Sequence, residues 1–175
     1  MKPLDADGRP IPWMNYPVID LLRERLTKDL HLFEFGSGFS TTFYAQLVGH
    51  VTSIEYDPDW YEQVSQDAPG NVELKLIAQD VDGDYCRAIG ATGRQYDVVI
   101  VDGRDRVNCL KQSVNSLNDH GIIVLDDSER EIYREGIDFV HDQGFRSLSF
   151  DGQKPTLNGI YQASVFYRSN NCLGI

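Results

Sequence analysis

The sequence predicts one α/β domain: a doubly wound, Rossmann-like mixed sheet, mostly parallel, ending in an antiparallel C-terminal strand pair. Three observations carry that prediction. Short apolar runs alternate with amphipathic stretches of helical period over most of the chain. A Gly-Ser-Gly turn separates the first such run from the helix that follows it. The last two runs are joined by a Gly- and Pro-containing connection too short for a helical crossover, so they must pair antiparallel.

Taken in order, residues 2–12 are turn-rich, and residues 16–28 place Val18, Leu21, Leu22 and Leu26 at helical spacing. Residues 1–30 are therefore expected to be a strap and helix belonging to the same domain as the body at 31–175. Residues 31–35 form an apolar run ending in the glycine turn, and residues 41–48 carry Phe43 and Leu47 on one helical face. A strand at 51–55 is followed by Asp57 and Pro58, a helix cap and a proline at the first helical position, with the helix running to about Gln66. Residues 72–77 alternate as a third strand. The nearly continuous β-branched run Tyr96–Val101 reads as a strand buried on both faces and so as the sheet centre.

Val107, Leu110, Val114 and Leu117 recur at spacings of three and four, and residues 121–125 are again a fully apolar strand. Ser128 with Glu131 predicts a capping box opening a helix to about Gln143. Residues 146–150 and 163–167 are the terminal strands.

A chain of 175 residues with 41% hydrophobic content can bury a core without disulfides or metals. Its formal charge of -11 repels nucleic acid and anionic membranes, so neither is expected as a partner. Cys86, Cys109 and Cys172 show neither disulfide-framework nor zinc spacing, and His31, His50, His120 and His141 show no metal-ligand spacing. With no apolar leader or spanning run, the expectation is a cytoplasmic protein with reduced thiols.

The strongest chemical signal is Glu34-Phe35-Gly36-Ser37-Gly38, between a predicted strand and a predicted helix. Glycines there permit a sharp turn and let a ligand approach the backbone at a helix N-terminus. Glu55, at the end of the second strand, is where such folds place a carboxylate against ribose hydroxyls, and Asp80, after the third, would read an adenine edge. The third glycine of a dinucleotide fingerprint is replaced by Thr41, and no phosphate-loop lysine follows. A sulfonium-bearing nucleoside without phosphates suits the acidic set Glu34, Glu55 and Asp102 better.

On these residues, the strand Tyr96–Val101 running into Asp102, and the C-terminal strand pair, the chain resembles the class I S-adenosylmethionine-dependent methyltransferases over nearly its whole length. The resemblance implies a last strand inserted antiparallel. It also implies that Gly36, Ser37 and Gly38 line the methionine and ribose, Glu34 organises the turn from below, Glu55 holds the ribose, Asp80 the adenine, and Asp102 faces the reaction site. Phe39 and Ser40 stand where many members carry a third glycine nearby. The absence of an Asn-Pro-Pro-Tyr type motif turns the expectation toward an oxygen nucleophile on a small acceptor.

Asp102, Asp126 and Asp127 follow two apolar strands whose ends should lie side by side, which suits a magnesium ion as in catechol-type O-methyltransferases. Equally, Asp126 and Asp127 would simply cap the next helix. Without a metal, Asp102 is the first choice of general base and Asp127 the second. Arg104, Arg106 and Arg130 would clamp an anionic acceptor group. Trp13, Met14, Asn15 and Tyr16 would form a lid or a packed strap. A non-catalytic cofactor- or partner-binding module and an NAD(P)-dependent oxidoreductase are the rival readings, and a homo-oligomer is left open.

Overall fold

A computed structural model describes residues 2–175. Seven strands form one sheet: β1 (His31–Phe35), β2 (His50–Glu55), β3 (Val72–Leu76), β4 (Tyr96–Val101), β5 (Leu117–Asp126), β6 (Arg146–Gly152) and β7 (Tyr161–Tyr167), ordered β3-β2-β1-β4-β5-β7-β6. The pairs among β1 to β5 are parallel. β7 is antiparallel to both β5 and β6 and lies between them, so the terminal pair is inserted in reverse as expected.

β4 is the fourth of seven strands, and every residue in it is buried. Its alternation divides the core. Val98 and Ile100 join Leu32, Ile122 and Val124 on the face covered by α1 (Tyr16–Arg25) and α2 (Phe39–Leu47). Val99 and Val101 join Phe33, Phe35 and Ile123 on the opposite face, under α4 (Asp84–Ala91), α5 (Arg106–Val114) and α6 (Arg134–Asp142). Continuous apolar strands are what a sheet covered on both sides requires.

The N-terminal segment packs into this domain. Asn15 caps α1 by accepting from Val18 N at 3.1 Å, and its amide donates to the carbonyls of Phe150 and Tyr161 at 2.7 and 3.1 Å. Met14 and Asn15 are fully buried, so this stretch is a packed strap, with Trp13 left exposed at its edge. The α1 helix stops at Arg25, short of Lys28, because Leu26 turns to extended geometry. Asp57 caps α3 (Pro58–Gln66) through two backbone amides.

α4 lies in a stretch to which the sequence pattern assigns no element, although its buried residues Tyr85, Cys86, Ala88 and Ile89 fall on one helical face. Two local expectations are corrected. Leu117 opens β5 instead of continuing α5, with an irregularity in the β4–β5 register beside it. Ser128 does not cap a helix: its hydroxyl donates to Gln162 at 3.2 Å and accepts from Ser164 at 2.7 Å, while α6 begins only after a 3-10 turn at Glu131–Tyr133.

Candidate functional site at the carboxyl ends of the strands

The parallel strands β1, β2, β4 and β5 all end on one edge of the sheet, the place where open α/β folds bind ligands. The turn after β1 is built from below by Glu34, which is buried at 1% exposure. Its carboxylate accepts hydrogen bonds from the hydroxyls of Ser40, Thr41 and Ser53, the last two at 2.7 and 2.8 Å. Thr41 also receives the Gly38 amide at 2.9 Å, so the turn and the first turn of α2 share one network. Burial pushes the Glu34 carboxyl up to about 7 despite these donors.

Gly36 has φ +93°, and a Cβ there would sit 3.2 Å from the Cα of Gly103. Gly38 has φ +151°, and a Cβ there would sit 3.2 Å from the Trp60 ring, whose indole N–H donates to the Ser37 carbonyl at 2.9 Å. Both glycines are required by conformation and by close approach. Glu55, 3% exposed, accepts from the Ser37 amide and hydroxyl at 3.1 and 2.8 Å and from the Tyr56 and Asp57 amides at 2.8 and 3.0 Å.

Gly36, Ser37, Glu55, Trp60, Asp102 and Arg106 line a polar cavity of about 310 Å³, within the usual size of small-molecule sites. Sharing Gly38 and Trp60 with this turn, a second cavity of about 620 Å³ is walled by Trp13, Phe39 and Val64, with Lys2 at its rim. The Trp13 and Phe39 rings meet edge to face at 6.4 Å, and Phe39 lies 6.2 Å from the Trp60 ring. Asp80 stands apart: its carboxylate caps α4, accepting from the Asp84 and Tyr85 amides at 2.7 and 3.1 Å.

The ends of β4 and β5 bring Asp102, Asp126 and Asp127 together as expected, but protein cations already lie among them. Lys154, from the loop between β6 and β7, donates to both Asp126 and Asp127. Arg106 donates to the Asp102 carboxylate at 3.0 Å and to the Asp126 carbonyl at 2.6 Å, and approaches Asp127 at 3.7 Å. Arg130 meets Asp127 at 2.6 Å. Among the described residues, no group of three or more His, Cys, Asp or Glu is placed to hold a metal ion.

The magnesium expectation is therefore corrected: this donor set does not fit a divalent cation, because an ammonium occupies its centre. Burial raises the Asp102 carboxyl against the opposing pull of Arg106, and raises Asp126 well above the carboxylate range with the help of Asp102's charge. Of the expected clamp, Arg106 is thus committed to the cluster, whereas Arg104 stacks on Tyr56 at 4.8 Å and donates to its hydroxyl. Lys154 escapes sequence reasoning because it lies 28 residues beyond Asp126 in a Pro- and Gly-bearing loop that shows no periodic pattern.

No protein-family model matches the chain, and neither does any curated protein. Solved structures do. A methyltransferase-like protein from Silicibacter pomeroyi is 26% identical with a TM-score of 0.61, over 90% of this chain and 89% of that one. The N-methyltransferase NodS from Bradyrhizobium japonicum, in complex with S-adenosyl-L-homocysteine, is 15% identical with a TM-score of 0.60, over 85% of this chain and 83% of that one. An rRNA methylase from Streptococcus thermophilus is 13% identical with a TM-score of 0.61, over 87% of this chain and 96% of that one. Among the described residues no helix is long and apolar enough to cross a membrane. With its strand order, its reversed β7 and these neighbours, the chain has the fold of the class I S-adenosylmethionine-dependent methyltransferases.

Proposed function

We propose that this chain binds S-adenosylmethionine in the polar cavity and transfers its methyl group to an oxygen nucleophile on a small acceptor. The observation that carries the reading is the turn at Gly36 and Ser37, which shares one polar cavity with Glu55 and Asp102. When bound, the cofactor supplies a methyl group on a positively charged sulfur, ready for in-line displacement.

The residues divide the work. Gly36 and Gly38 let the turn close against Gly103 and the Trp60 ring, which sets the backbone path beside the cavity. Glu55 already receives four protein hydrogen bonds, so the Ser37 hydroxyl, a freely rotating group, is the donor that ribose hydroxyls displace. Asp80 takes the adenine edge with its remaining lone pairs while still capping α4. Asp102, its carboxyl raised by burial, accepts the acceptor's hydroxyl proton. Asp127 holds Lys154 and Arg130, which makes it an orienting group for Asp102's surroundings. The aromatic cavity of Trp13, Phe39 and Trp60 suits a planar apolar acceptor, and the charge of -11 favours a small molecule over RNA. Rate enhancement comes chiefly from holding donor and acceptor in line.

Calorimetric titration tests this. S-adenosylmethionine is expected to bind one to one and NAD not at all, and Glu55→Ala should weaken the former at least about tenfold, the loss of about 1.4 kcal/mol that charge-assisted hydrogen bonds supply. Binding of NAD in its place, or unchanged binding by the variant, would overturn the assignment. Formation of S-adenosylhomocysteine with a hydroxyl acceptor separates an enzyme from a cofactor-binding module.

A further inference from the structure

We infer that Lys154 is a built-in cation, standing between the ends of β4 and β5 where a divalent ion would otherwise bind, so that this end of the sheet holds its charge balance without metal. A hard divalent ion needs several carboxylate and carbonyl oxygens stripped of other partners. Here Asp126 and Asp127 each give an oxygen to the Lys154 ammonium, which is only 6% exposed. Arg106 takes Asp102, and Arg130 takes the second oxygen of Asp127. Three carboxyl groups thus face three protein cations.

The lysine is delivered by a fastened loop. Tyr16 N donates to the Gln153 carbonyl at 3.0 Å, and the Trp13 indole donates to Thr156 at 3.1 Å, so the strap grips the loop on both sides of Lys154. Lys154 also lies 5.1 Å from the Tyr161 ring centroid, which favours an ammonium. Pulling the ammonium off its carboxylates would leave a buried cation without its partners, at a cost of several kcal/mol. One oxygen, Asp126 Oδ1, is buried without a hydrogen-bond partner among the described residues, so the carboxylates hold unused capacity that a different cation could exploit once the ammonium is gone.

Manganese titration followed by electron paramagnetic resonance tests the inference without any methyl acceptor, and so independently of the proposed activity. The parent is expected to show no saturable manganese site. Lys154→Ala should acquire one, at least tenfold tighter than any binding by the parent, and Lys154→Ala with Asp126→Asn should lose it again. Saturable binding by the parent overturns the inference, as does a folded Lys154→Ala that gains no site. If Lys154→Ala does not fold, the parent decides alone: an unchanged melting temperature in magnesium and in EDTA upholds the inference, and a rise with magnesium overturns it.

Discussion

The two halves of the strand edge solve the same problem differently. At β1 and β2, Glu34 and Glu55 are buried and held by neutral donors, the hydroxyls of Ser37, Ser40, Thr41 and Ser53 and backbone amides. At β4 and β5, Asp102, Asp126 and Asp127 are held by lysine and arginine. The neutral donors to Glu34 and Glu55 all lie within about twenty residues of them. Among the cations, Arg106 and Arg130 lie within four residues of Asp102 and Asp127, whereas Lys154 arrives from far along the chain.

Breaking the cationic half should cost most. Asp126→Ala leaves Lys154 buried with half its partners, and a loss of about 3–5 kcal/mol in chemical denaturation is expected. Adding Lys154→Met should recover part of that loss, because no buried charge is then left over; if the double variant is worse than the single, the cluster is not held by charge compensation.

The neutral half should reveal itself through pH. Burial pushes the Glu34 carboxyl up to about 7 in the folded chain from its ordinary 4.5 in the unfolded one, so the folded state binds the extra proton between these limits. Stability is then greatest at or below pH 4.5 as far as this group is concerned, and declines as pH rises toward 7, by about 3 kcal/mol in total. Glu34→Gln should flatten that part of the stability profile; a variant with the parent's slope would place the titration elsewhere. Ser53→Ala should have the smallest effect. Losing one hydroxyl from the ionised carboxylate should cost about 1 kcal/mol above pH 7 and less below pH 5, where Glu34 carries its own proton.

The same contrast explains what could be read from the chain. The glycine turn, Glu34 and Glu55 were legible because their partners lie within about twenty residues and obey a strand-turn-helix grammar. The central strands announced themselves by apolar continuity. The α4 helix was obscured by Gly83, Gly90 and Gly93, which break its pattern although Tyr85, Cys86 and Ile89 sit on the buried face. Ser128 and Glu131 had the spacing of a capping box, yet Ser128 found a tertiary partner in β7, which no local rule anticipates. The convergence of Asp102, Asp126 and Asp127 followed from strand adjacency, but the identity of their counter-ion depended on where a loop folds back.

The turns at Gly36 and Gly103 come so close that a methyl group on either would press into the other's backbone, and one on Gly103 would also strike the Tyr85 hydroxyl. At Gly36 the clash cannot be relieved by trimming a neighbouring side chain, since the atoms met there are backbone of Asp102 and Gly103. The seam between β1 and β4 is thus set backbone against backbone at Gly36, so its spacing does not depend on which side chains line the pocket, the strap or the outer helices.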